Sequence, residues 1–196
     1  KKGIKSQMNK QFQNLIMLML LSHIALNAAD EIVSHFKPLY SFANISVNYL
    51  DWNKPTEQET IQKDFTYLEL EGGAGWNWGE FYGFMDIENP TKSYSDTMPD
   101  NLRITIKPIL DINLLGGFAL HIQDYYLTSQ EFYVNNLVTG FSYKYISDFG
   151  LWIKPFMGVH YQESTYYSGF NGYMTGWVFN YDFEFFKQRL SIFQWH

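Results

Sequence analysis

Residues 64–90 read DFTYLELEGGAGWNWGEFYGFMDIENP, and the alternation in this stretch decides the fold. Glu69 and Glu71 interleave with Leu68 and Leu70; Asp86 and Glu88 interleave with Met85 and Ile87. Successive side chains of a strand point to opposite faces. Both runs are therefore strands with one apolar and aromatic face and one charged face, folded back on each other at residues 77–79. A soluble sandwich buries its apolar face and leaves the polar one to water. A transmembrane barrel turns its apolar face to lipid and its polar face to a lumen.

Composition narrows the function classes. Of 196 residues, 19% are aromatic, dominated by 15 Tyr and 17 Phe. The absence of cysteine excludes a disulfide scaffold and a thiolate metal site. A net charge of -6 with no basic stripe argues against a nucleic acid polymer as partner. His121 and His160 lie far apart without metal-ligand spacing, so no metal is expected. No nucleophile elbow, P-loop or dinucleotide fingerprint occurs, and no cofactor is implied. Paired carboxylates suggest glycosidase chemistry, but here they repeat with period two and mark a face instead of a catalytic pair. Gly72, Gly73 and Gly75 follow Glu71 without opening a helix, which points to strand bending or close packing. The expectation is a protein that is not an enzyme.

The N-terminus has the order of a secretory signal. Lys1, Lys2, Lys5 and Lys10 supply positive charge, residues 15–26 (LIMLMLLSHIAL) form an apolar run too short to span a bilayer, and Ala28 and Ala29 precede Asp30. Residues 1–29 are read as a signal peptide. Met8 offers a start residue, which would leave residues 1–7 as upstream read-through. Residues 30–196 are read as one domain.

After residue 30 no helical period is found. Strand candidates fall at 42–53, 64–76, 80–89, 102–111, 118–127, 132–146, 151–162, 173–185 and 190–196. Several reach the ten or so residues that a tilted strand needs to cross a membrane. The links mostly alternate between long and polar (53–63, 90–101, 163–172) and short (77–79, 112–117, 147–150, 186–189); residues 128–131 are a short link where a long one is due. Outer-membrane barrels show this asymmetry, with long loops outside and short turns on the periplasmic side. Nine strands is an odd count for a single-chain barrel, and an open edge cannot sit in hydrocarbon. The expectation is an all-β transmembrane antiparallel barrel of which this chain is the N-terminal portion.

Residues 46–53 (SVNYLDWN) followed by DFTYLELEGGAGWNWGEFYGFMDIENP resemble the nucleoside-specific channel-forming outer-membrane family (Tsx-like), including its OmpK-type branch. The likeness is specific over these blocks and looser but collinear through QDYYLTSQEFYVNNLVTGF to FQWH. It implies a twelve-stranded, narrow, monomeric barrel in the outer membrane of a Gram-negative bacterium. Such a barrel passes nucleosides and deoxynucleosides.

Alternation assigns the faces. Tyr67, Glu69 and Glu71 share one side of the second strand; Tyr82, Phe84, Asp86 and Glu88 share one side of the third. Arg103, Thr105 and Lys107 oppose Leu102, Ile104 and Ile106 on the fourth. Trp152, Lys154, Phe156 and His160 form a set on the seventh, and Asn180, Asp182 and Glu184 on the eighth. The charged set is expected to face one compartment throughout, and the other set to form a lipid belt with aromatic girdles. Two roles are open for the lumen cluster. It braces a narrow barrel by cross-strand pairing, or it lines a path in which Tyr82, Phe84, Trp152 and Phe156 stack on bases and polar neighbours meet sugar hydroxyls. The competing reading is a barrel serving as a surface receptor or adhesin for phage or host through its outer loops.

The signal reading predicts cleavage near Ala29–Asp30. N-terminal sequencing of the membrane-bound protein should start at or near Asp30; finding Lys1 or Met8 there would refute it.

Overall fold

Each alternating run pairs with the next along the chain. The structure, a computed structural model, describes residues 36–60 and 62–195; the expected signal segment, residues 1–29, lies outside the described residues. The strands are β1 (Tyr40–Leu50), β2 (Phe65–Trp76), β3 (Gly79–Glu88), β4 (Arg103–Asn113), β5 (Phe118–Thr128), β6 (Tyr133–Tyr143), β7 (Tyr145–Ile146), β8 (Leu151–Ser164), β9 (Ser168–Phe185) and β10 (Gln188–Trp195), with one short helix, α1 (Lys54–Glu59). They form one sheet in the order β1-β2-β3-β4-β5-β6-β8-β9-β10, and β7 pairs with β8. Every pairing is antiparallel. This is the up-and-down meander of an outer-membrane barrel wall. Among the described residues the sheet is not closed: β1 and β10 each pair on one side.

Three expectations are corrected. The link between β1 and β2 contains α1: Asn53 caps it by accepting the Thr56 N–H at 3.0 Å, and Pro55 sits in its first turn, where a missing N–H costs nothing. The supposed long link at 163–172 is only residues 165–167. Here Ser164 Oγ accepts the N–H groups of Tyr166 and Tyr167, closing a tight turn that lets β8 and β9 run to 14 and 18 residues. The candidate at 132–146 is interrupted at Lys144, although Ser142 opposite Phe156 and Tyr145 opposite Ile153 keep one register across the break.

The sheet is strongly curled. Strands β3 and β8 are four steps apart, about 19 Å on a flat sheet at ~4.8 Å per strand. Yet Lys154 Nζ on β8 lies 3.3 Å from Glu80 Oε2 on β3. Only a wall rolled toward that side allows the contact, so this side is the concave, inner face.

Burial is inverted relative to a soluble domain. Thr105, Asp111, His121, Gln123, Ser142 and His160 are buried, whereas among the described residues the buried apolar side chains are those of Ala119 and Val138. Ile45 and Val47 on the outer face of β1 remain 76% and 75% exposed, and Met157 and Val159 on the outer face of β8 are exposed too. An exposed apolar belt of this extent demands an apolar surrounding, and a hydrogen-bonded strand wall is one of the few backbones lipid admits. Aromatic residues gather at the turn end of the belt, where Trp76 stacks on Trp78 at 5.1 Å and Phe118 meets Tyr143 at 4.9 Å, as an interfacial girdle would.

The expectation that charge faces one side throughout fails at Asp124. Pairing of Ile122 with Thr139 and Tyr126 with Ile106 puts Asp124 on the outer face, between them. The β4–β5 ladder runs from the pair Ile106–Tyr126 to the pair Ile109–Gln123 without pairs at Lys107 and Pro108. Proline has no N–H to give the ladder, and Asp124 sits across from that break.

The glycines of β2 serve close packing. Phe42 lies opposite Gly73, and Tyr40 opposite Gly75. A Cβ on Gly73 would fall 2.8 Å from the Phe42 ring, and one on Gly75 would run into the Tyr40 ring. Both rings lie flat across positions that only glycine leaves empty, the pairing known as aromatic rescue.

Ile45, Leu70, Met85 and Ile106 share one rung of the outer face, and Asn44 is the inward neighbour of Ile45 facing Glu71. Ile45→Arg or Ile106→Arg should destabilise the inserted barrel by about 2–4 kcal/mol if that rung lies near the midplane, while Asn44→Arg should fold normally. Urea titration of the proteins in vesicles checks this; equal losses on both faces would show the assignment to be wrong.

Candidate functional site

The inner face carries two polar clusters with an aromatic zone between them. At the end nearer the long 89–102 connection, Glu88 is buried and fully partnered. Arg103 Nε donates to its Oε2 at 2.7 Å, Arg103 Nη2 forms an ion pair with the same oxygen at 2.7 Å, and Thr105 Oγ1 donates to its Oε1 at 2.9 Å. The Arg103 guanidinium lies over the Phe65 ring, 5.0 Å from its centre, a cation–π contact. Asn48 Nδ2 donates to Glu69 Oε2 at 2.9 Å, and Tyr82 Oη donates to Glu71 Oε1 at 2.8 Å. Asp86 lies opposite both Glu69 and Thr105, and its Oδ1 is buried without a partner.

At the turn end the cluster spans the curl. Lys144 of the β6–β7 junction pairs with Glu80; Lys154 bridges Glu80 and Asp111. Asp111 also receives Ser142 Oγ at 2.7 Å and His121 Nδ1 at 2.8 Å. Both carboxylates thus have cationic donors, and Asp111 has neutral ones besides, as buried charge requires. The His121 ring stacks on Phe156, with centroids 4.4 Å apart and planes at 21°.

Between the clusters lies a cavity of about 380 Å³, lined by residues from β1 to β6 and from β8 to β10. That volume suits a small organic molecule. Tyr82, Phe84, Trp152 and Phe156 supply rings to it, and Lys107 and Gln123 supply polar groups.

The register puts all the sequence-derived candidates on the inner face. Glu71, Tyr82, Phe84, Lys107, Trp152, Lys154 and Phe156 line the cavity together. Tyr67, Glu69, Asp86, Glu88 and Arg103 form the cluster at the 89–102 end. Asp182 and Glu184 face inward but stand apart, exposed, opposite Ser191 and Arg189 of β10. The sequence reading missed Glu80, Asp111, Ser142 and Lys144, and set His121 aside once metal binding was excluded. Parity could have found two of them: Glu80 is in step with Tyr82, and Asp111 with Arg103 and Lys107. Among the described residues no cluster of His, Asp and Glu has the arrangement of a metal site.

The model of the family described as nucleoside-specific channel-forming protein, Tsx, matches residues 47–196. No solved structure matches the chain. The match runs from β1 through β10, so it includes the whole inner face except its first rungs. The chain belongs to the nucleoside-specific channel-forming Tsx family of the Gram-negative outer membrane.

Proposed function

We propose that the inner-face cavity forms part of the path along which this channel protein passes nucleosides and deoxynucleosides. The family is one of channels, not of enzymes, and its substrate class is nucleosides. The observation that carries the residue-level reading is the shared cavity of Tyr82, Phe84, Trp152 and Phe156, with hydrogen-bonding groups within the same walls. A nucleoside is a flat, weakly polar base joined to a sugar rich in hydroxyls. Rings accept any base by stacking, and polar groups beside them replace the water lost by the sugar. A channel must also let go, so several modest contacts serve better than one tight pocket. In this reading Tyr67, Glu69, Asp86, Glu88 and Arg103 form the approach on the side of the 89–102 connection. Asp182 and Glu184 lie at the margin of the path.

The test is small-ion current through single channels in a planar bilayer. Adenosine should block the current in a saturable way, and a free sugar of similar size should not. Tyr82→Ala with Phe84→Ala should weaken the block by about 1–3 kcal/mol per lost ring. Tyr82→Phe keeps the ring and loses only the bond to Glu71, so it should leave the block unchanged. If adenosine and the sugar behave alike, the path reading fails and a surface receptor becomes the better description.

A further inference from the structure

His121 is 2% exposed, lines the cavity, and has one ring nitrogen engaged and one idle: Nδ1 is 2.8 Å from Asp111 Oδ1, while Nε2 is buried without a partner. Asp111 dictates the tautomer. Its oxygens already accept from Lys154 and Ser142, and a carboxylate holding those donors has no proton to give. The imidazole therefore donates through Nδ1–H. Lys154 supplies the cation for that carboxylate, so the neutral ring fits the site, and Nε2 presents a bare lone pair. Stacking on Phe156 fixes the plane of the ring. An idle acceptor in a buried position costs free energy unless something occupies it.

We propose that His121 is a specificity-determining residue of this channel, its Nε2 accepting a hydrogen bond from a pentose hydroxyl of the passing nucleoside. The inference rests on the path reading above and adds the orientation of the substrate. Register fixes that orientation. The rung Glu80–Asp111–His121 lies immediately to the turn side of the rung carrying Tyr82, Ile109 and Gln123, with Phe84 beyond it. The polar rung takes the sugar, and the rings of Tyr82 and Phe84 take the base. The nucleoside then lies along the cavity with its sugar toward the turns. An acceptor at this point also selects against groups that only accept, since two lone pairs repel.

The experiment compares block by adenosine and by 2′,3′-dideoxyadenosine, which keeps the base and lacks both ring hydroxyls. Wild-type protein should bind adenosine roughly two- to tenfold more tightly, the worth of one net hydrogen bond. His121→Asn retains a donor where Nδ1 stood and removes Nε2; it should lower adenosine affinity to the dideoxy level and leave the dideoxynucleoside unchanged. His121→Gln, which can return an acceptor near the Nε2 position, should recover part of the difference. If the wild type binds both ligands equally, the proposal is overturned without any variant. If His121→Asn weakens both equally, or neither, His121 is structural and the proposal also falls. If neither nucleoside blocks the wild type, the path reading falls with it, whereas block that persists without hydroxyl dependence overturns the His121 proposal alone.

Discussion

The bridge that Lys154 makes to Glu80 and Asp111 is the contact on which the shape of the wall depends. It ties β8 to β3 and β4 across the concave side, and Lys144 adds a second tie from the β6–β7 junction to Glu80. Twist alone would curl a sheet of this width, but it would not bring one cation to two carboxylates on neighbouring strands. Such a bridge gains little net energy over an apolar filling, because two charges must leave water to form it. Its value lies in geometry. With one partner removed, the other charges are stranded, at about 3–5 kcal/mol for a buried pair. The wall has therefore one favourable curvature instead of a range.

The same bridge explains what was legible in the sequence and what was not. Alternation is local, so the inner positions of β2, β3, β4, β8 and β9 could be read from Glu69, Asp86, Arg103, Lys154 and Asp182 with no knowledge of pairing. Partnership across the barrel is not local. Lys144 and Glu80 are 64 residues apart and Lys154 and Glu80 are 74, and no period connects them. His121 was read as a failed metal ligand because its partner, Asp111, meets it only through the β4–β5 register. Asp124 broke the pattern on the outer face, across from the gap that Pro108 leaves in the β4–β5 ladder, and nothing in the structure explains a carboxylate there. The helix α1 is six residues long, below any useful window of hydrophobic period, and only its Asn53-Lys54-Pro55 start announces it.

The polar clusters differ in how completely they are satisfied. Glu88 has all its nearby donors fixed, with Arg103 held between it and the Phe65 ring. These contacts brace β3 against β4 and hold the pair in place at the 89–102 end. At the turn end Asp111 is saturated in the same way, but the saturation moves the free valence outward to the next atom, His121 Nε2. Charged and neutral groups share the cavity wall: Glu71, Lys107 and Lys154 stand in it beside Gln123, Ser142 and His121.

The ring seats on β2 have a consequence for how the first strand finds its place. Strand β1 is exposed over most of its length and carries small or polar residues at Ser41, Ala43, Ser46 and Asn48, so its polar-apolar pattern tolerates a slide of two residues along β2. Gly73 and Gly75 do not tolerate it. A slide one way carries Phe42 over Glu71; a slide the other way carries Tyr40 past Trp76 to the turn. In either case one ring loses the only bare stretch of backbone wide enough to hold it. The two glycines and two rings act as a keyed pair of teeth that proofreads strand alignment during assembly, when a wall still growing at its edge has no closed barrel to enforce the register.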